Sequence, residues 1–142
     1  MIPTDGAKAF IINKKLNKLL LVLRDDKPNI PSPNCWSLFG GGIEPDESPI
    51  DALKREMGEE INIEVYDIKQ IDVIDVVLTV ENKSYTVMGH IFLAYTDAEL
   101  EDIEIYEGQR VGYFTIEELK KLENIGPGAL RMIEKYEKSL FN

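Results

Sequence analysis

Five charged residues at fixed spacing carry the side chains that could do chemistry. In GGIEPDESPIDALKREMGEEINI, from Gly41 to Ile63, Glu47 is followed after seven residues by Arg55-Glu56, and then by Glu59-Glu60. On a helix, like charges this close repel by a few tenths of a kcal/mol or so per exposed pair. A divalent cation would turn that repulsion into ligation by hard oxygens. The stretch opens on three consecutive glycines, Gly40 to Gly42, which suggest positive φ or the close approach of a ligand to the backbone. This is neither a P-loop, since no Gly-Lys-Ser/Thr follows, nor a dinucleotide fingerprint.

The element that must position these groups reads as a helix over 48–61. Ser48 is a suitable N-cap, Pro49 falls at the first helical position and Asp51 suits the first turn. At about 100° per residue, Ile50, Leu53, Met57 and Ile61 fall within roughly 80° of one another. Glu56, Glu59 and Glu60 lie on an adjacent arc of about 100°. One flank therefore packs on a core and the next presents three carboxylates. Asn62 is expected in the left-handed capping position. Gly58 weakens the helix by about 1 kcal/mol relative to Ala, and nothing in the sequence explains it.

Around this helix, residues 7–12 and 19–24 read as a hairpin with a polar turn from Asn13 to Asn17. The run from Asp25 to Asn34 holds Pro28, Pro31 and Pro33, which makes it a surface loop. Residues 63–80 and 84–96 read as strands joined by a turn at Asn82-Lys83. An acidic loop over 97–108 leads to a short strand, Arg110 to Phe114. Thr115 and Glu118 form a capping box for the next helix, and Gly126-Pro127-Gly128 precedes a last amphipathic helix, roughly 127–139. This order predicts an α/β fold: a mixed sheet between the 48–61 helix on one face and the C-terminal helix on the other.

The length of 142 residues and the apolar content of 44% suggest one globular domain over 1–142. Cys35 is the sole cysteine, so nothing argues for an oxidising compartment. No signal sequence or membrane span is evident, and the reading is of a soluble, cytoplasmic protein. A formal charge of −10 argues against a nucleic-acid polymer as partner. It leaves room for a small phosphorylated ligand, because a bound Mg²⁺ would reverse the local field.

The spacing from Gly41 through Glu47 to Arg55-Glu56-Met57-Gly58-Glu59-Glu60 resembles the Nudix box, G-x(5)-E-x(7)-R-E-U-x-E-E-x-G-U with U apolar. Asn62 stands in place of the second glycine, and Ile63 fills the final apolar slot. The resemblance implies a Nudix-type α/β/α sandwich with a mixed β-sheet. It also implies hydrolysis of the pyrophosphate bond in a nucleoside triphosphate, or in a nucleoside diphosphate linked to another moiety, with Mg²⁺ or Mn²⁺. Carried over by position, the metal ligands would be Glu56, Glu59, Glu60 and the carbonyl of Gly40, with Glu47 and Arg55 bracing loop to helix. Glu107-Gly108-Gln109 resembles the Glu-Gly-Gln of MutT-type members, where the glutamate is a metal ligand or the general base. Glu107 takes that role here, with Glu56 as the competing base and Glu104 as the nearest decoy. Phe39 in place of Pro, Tyr113 and Phe114 in place of Trp, and Asn124 out of register with Pro127 point away from an oxidised-guanine specificity.

The remaining chemistry-bearing residues read as structural. His90 sits in a strand pattern and Cys35 is a small apolar filler. Trp36, Tyr85 and Tyr113 belong to core or rim, and no EF-hand pattern is present. A nucleotide-binding regulatory module on the same fold, with little catalysis, is the competing reading; a third is an interaction protein whose acidic surface docks a basic partner. The protein would work as a monomer or a homodimer.

Overall fold

The computed structural model describes residues 2–141. Strands β1 (Gly6–Asn13) and β2 (Lys18–Leu23) form an antiparallel hairpin with Ile11 opposite Leu20. The proline-rich run after β2 has no helix or strand. Then come β3 (Trp36–Ser37), β4 (Phe39–Gly42), α1 (Pro49–Glu60), β5 (Tyr66–Val80), β6 (Lys83–Tyr95), β7 (Arg110–Phe114), α2 (Ile116–Lys120) and α3 (Pro127–Leu140). All seven strands join one mixed sheet in the order β3-β2-β1-β6-β5, with β4 also on β1 and β7 also on β2. The β1–β6 pair is parallel and the other pairs are antiparallel.

Period-two alternation assigns the two faces. Ala7, Ala9 and Ile11 of β1 and Leu20 and Val22 of β2 pack with Ala52, Leu53 and Met57 of α1. Phe10, Ile12, Leu19, Leu21 and Leu23 point the other way, onto Leu119 of α2 and Ala129, Met132 and Ile133 of α3. This is the expected sandwich. Full burial of a side chain such as Leu53 or Phe10 contributes about 1.5–3 kcal/mol, so each helix is held mainly by its packed face. The capping box is present: Thr115 Oγ1 accepts from Glu118 N at 3.1 Å, and Glu118 Oε1 accepts from Thr115 N at 2.9 Å.

Two local expectations are corrected. Helix α1 ends in extended backbone at Ile61, and Asn62 is not among the positive-φ residues. Asn62 instead bridges to the acidic loop: its N–H donates to Glu104 O at 3.1 Å and its Oδ1 accepts from Glu104 N at 2.8 Å. An amide side chain can make that bridge where glycine could not. The β5–β6 turn is Glu81-Asn82, with φ of 50° and 67°, one residue earlier than expected, because Val80 pairs with Lys83. Two successive positive φ values are what a two-residue hairpin needs to match the strand twist. The acidic loop holds a single 3-10 turn at Leu100–Asp102. Among the described residues no helix is long and apolar enough to cross a membrane.

Candidate functional site

The helix that carries the glutamates starts as its sequence dictates. Ser48 Oγ accepts from Asp51 N at 3.2 Å and Pro49 occupies the first turn. At its far end the three carboxylates separate. Glu60 is 9% exposed, Glu56 is half-buried, and Glu59 points to solvent. The arc expected to present three carboxylates together beside the apolar line therefore straddles the boundary of the core.

Glu60 is fixed by the glycine strand. Its Oε1 accepts from Gly40 N at 3.0 Å. Gly40 has φ +126°, and a Cβ there would lie 2.0 Å from Ala7 O, so no other residue fits. At Gly41 a Cβ would meet the Glu56 carboxylate at 2.4–2.7 Å; the bare backbone lets that carboxylate lie against β4. Burial pushes the Glu60 carboxyl up to about 7, and the charges of Glu56 and Glu107 add to it, while Lys8 and the Gly40 amide pull it down.

Arg55 is the hub on the other flank. Its Nε and Nη2 grip both oxygens of Glu47, at 2.8 and 3.0 Å, and Nη2 also donates to Gly42 O at 2.9 Å. Its Nη1 reaches Glu56 at 3.1 Å and Glu59 at 3.3 Å. The two-pronged geometry suits a planar guanidinium and no other side chain. The Arg55 hydrogen bond holds the Glu47 carboxyl below its usual range. Loop, strand end and helix are thereby locked to one another.

Glu107 comes from across the sheet. Tyr106 N donates to Glu60 O at 2.7 Å, and Ile61 bridges to Ile105, so the acidic loop is tied to the end of α1. On its other side Gln109 N donates to Leu23 O at 2.8 Å, and Gln109 Nε2 donates to Arg24 O and Asn34 Oδ1, both at 2.9 Å. Gly108 between them has φ +93° and lies against Val22 and Leu23. These ties aim Glu107 at the glutamates of α1: burial raises its carboxyl, and the charges of Glu56 and Glu59 raise it further. Glu104 is engaged through its backbone with Asn62.

A cleft of about 430 Å³ opens between these elements, lined by Glu60, Glu107, Arg24, Lys27, Ile30 and Tyr106. Sequence reading missed four residues here. Arg24 continues the alternation of Leu20 and Val22 toward α1, and that period was the available signal. Its Nε is buried without a hydrogen-bond partner, and burial lowers its pKa. Lys8, paired opposite Gly40 in the sheet, places Nζ 3.4 Å from Gly40 O. Lys27 and Tyr106 had no periodic signal.

The bland readings fit the structure. Trp36 is buried edge-on against Phe114, and Tyr113 OH donates to Ala98 O at 2.6 Å. His90 Nδ1 lies 3.0 Å from Gln70 Nε2. Burial raises the pKa of the half-buried Cys35 thiol. Asn124 Nδ2 donates to Asn34 O at 3.1 Å.

The donor chemistry suits a hard divalent ion: Glu60 and Glu107 line one cleft, and burial raises both carboxyls, with the charge of Glu56 adding to each. Among the described residues the one group of three or more carboxylates with oxygens all within 4.8 Å of one another is Glu99, Glu101 and Asp102, all exposed; Glu56 and Glu59 are turned to Arg55 and Glu60 to the Gly40 amide.

A family model described as the NUDIX domain matches residues 3–136. The chain belongs to the NUDIX domain family. A MutT protein from Methanosarcina mazei is similar over 96% of this chain and 94% of its own, with 25% identity and a TM-score of 0.72. A MutT NUDIX hydrolase from Burkholderia pseudomallei covers 94% of this chain and 98% of its own at 20% identity, TM-score 0.74. The NUDIX domain of NrtR from Shewanella oneidensis, solved with ADP-ribose, covers 99% and 90% at 18% identity, TM-score 0.75. The last two show the fold alone. An RNA pyrophosphohydrolase of Pseudomonas fluorescens is 47% identical over 36 residues, a match covering 25% of this chain and 23% of that protein's length.

Proposed function

We propose that this NUDIX chain is a divalent-metal-dependent pyrophosphohydrolase, a single catalytic domain over residues 1–142. Its substrate class is a nucleoside triphosphate, or a nucleoside diphosphate linked to another moiety. The observation that carries the reading is that Glu60, whose carboxylate accepts the Gly40 N–H, and Glu107 line one cleft with Arg24 and Lys27, while Arg55 holds Glu56 and Glu59 on the same helix.

Gly40 O, Glu56, Glu59, Glu60 and Glu107 would hold Mg²⁺ or Mn²⁺. Such an ion supplies neutralisation of charge on the pyrophosphate oxygens and lowers the pKa of a water. The chain's own residues do the rest. Arg24 and Lys27 present cations to phosphate oxygens, with the free Nε–H of Arg24 as a ready donor. Tyr106, 60% exposed at the cleft, offers a ring for stacking a base. Arg55 holds Glu56 in one orientation. Glu107 or Glu56 takes the proton of the attacking water. A cytoplasmic setting, with nucleotides at hand, belongs to this reading.

The test is a panel of nucleoside triphosphates, ADP-ribose and a 5′-triphosphate RNA, assayed for phosphate, pyrophosphate and nucleoside monophosphate with Mg²⁺ and with Mn²⁺. Release from a small nucleotide is expected. Tight nucleotide binding with no release under either metal would overturn catalysis in favour of a nucleotide-binding module on the same fold.

A further inference from the structure

The β5–β6 hairpin runs past the rest of the sheet. Strand β1 pairs with β6 only from Gly89 onward, opposite Gly6, so Ile74 to Met88 form a two-stranded arm. Strand β5 is the edge of the sheet, and a bare edge invites pairing with another chain. Its first half is guarded. Register shifts fall between Tyr66 and Lys69 and between Gln70 and Asp72, Asp67 sits at φ 52°, and Asp72 Oδ1 takes the N–H of Val73. The second half, Val73 to Val80, reads VIDVVLTV with one charge and keeps regular register with β6. The arm's other edge is polar, with Lys83, Ser84 and Thr86, and Asp5 Oδ1 caps the N–H of Met88 at 2.9 Å. Val73, Val77 and Met88 are 41%, 50% and 44% exposed.

We propose that two copies of this chain associate along the Val73–Val80 edge, antiparallel about a twofold axis at Val77. The sequence of the edge selects both occupant and register. With Val73 N–H taken by Asp72, the outward groups left by alternation are those of Asp75, Val77 and Thr79. A centre at Val77 pairs these three with one another, Asp75 to Thr79 and Val77 to itself. On the face shared with Tyr85 and Val87 it sets Ile74 against Val80 and Val76 against Leu78, an unbroken apolar ladder. Asp75 of one copy never faces Asp75 of the other, so a chain of net charge −10 meets itself with its one edge charge against a hydroxyl. Isologous contact is the form a self-complementary edge must take.

Sedimentation velocity on the full chain, from low to high micromolar concentration, tests this, with V77K and a Val77→Cys variant in a Cys35→Ser background. The wild type is expected to dimerise reversibly. V77K sets two lysines face to face and should weaken the dimer at least about tenfold, with unchanged nucleotide hydrolysis because Val77 lies outside the cleft. A twofold-related pair at about 5.5 Å between Cα atoms is within disulfide reach, so Val77→Cys should cross-link on oxidation and D75C in the same background should not. A monomer at every concentration, a dimer untouched by V77K, or D75C cross-linking as fast as Val77→Cys would each overturn the proposal.

Discussion

Replacing Glu60 by glutamine separates what this carboxylate costs the fold from what it does for the site. Glutamine keeps an oxygen to accept the Gly40 N–H at 3.0 Å but carries no charge into a position only 9% exposed. In the fold the Glu60 carboxyl titrates at about 7, against 4.5 for an ordinary glutamate. A folded-state value above the unfolded one means stability that is complete below pH 4.5 and lost as pH rises through about 7. At 1.36 kcal/mol per pH unit, the loss for the metal-free protein is about 3 kcal/mol. The Glu60→Gln variant escapes it. In EDTA it should match the wild type near pH 4 and exceed it at pH 8 by about 3 kcal/mol, or about 10 °C in Tm for a domain of this size. Added Mg²⁺ should then raise the wild-type Tm and leave the variant's nearly still, because the variant lacks the charge that the ion would balance. Urea unfolding and thermal melts over pH 4–8, with and without metal, read this directly. Parallel pH curves for the two proteins, or a variant less stable at pH 8, would refute the reasoning.

Three further outcomes follow from single contacts. Gly58 is exposed and a Cβ there meets nothing within 4 Å, so Gly58→Ala should stabilise the protein by about 1 kcal/mol in urea unfolding, with hydrolysis unchanged. Gly108→Ala forces a Cβ at φ +93° to within 2.7 Å of Val22 and 3.0 Å of Leu23 O; Glu107 should be displaced and kcat should fall about tenfold or more, with the circular dichroism spectrum retained. Arg24→Ala removes the cleft cation whose buried Nε has no hydrogen-bond partner and should raise KM for a triphosphate about tenfold, with a smaller change in kcat; an unchanged KM would take Arg24 out of the phosphate site.

What could be read in advance was local. Ser48 and Pro49, the alternation of β1 and β2 and the Thr115–Glu118 box each act within a few residues, and all appear as expected. The spacing from Gly41 to Glu60 marked the face where carboxylates gather because a helix turns spacing into direction. What stayed hidden depends on pairing between distant segments. Lys8 meets Gly40 through the β1–β4 ladder. Tyr106 reaches the end of α1 because its N–H donates to Glu60 O. Arg24 lies beside Glu107 because Gln109 is tied to Leu23 and Arg24. Asn62 was misjudged for the same reason: its partners at 102 and 104 are invisible to a reading of helix ends.

On the proposed function, the glutamates of α1, held against the Gly40–Gly42 strand, serve the cleavage of a pyrophosphate bond. Its most direct measurement is turnover of the best nucleotide in the panel, with Mg²⁺, by the wild type and by a folded variant carrying both Glu56→Gln and Glu60→Gln. The expected result is metal-dependent release by the wild type and a loss of several orders of magnitude in the double variant. Full activity in that variant would rule out a role for these glutamates in hydrolysis.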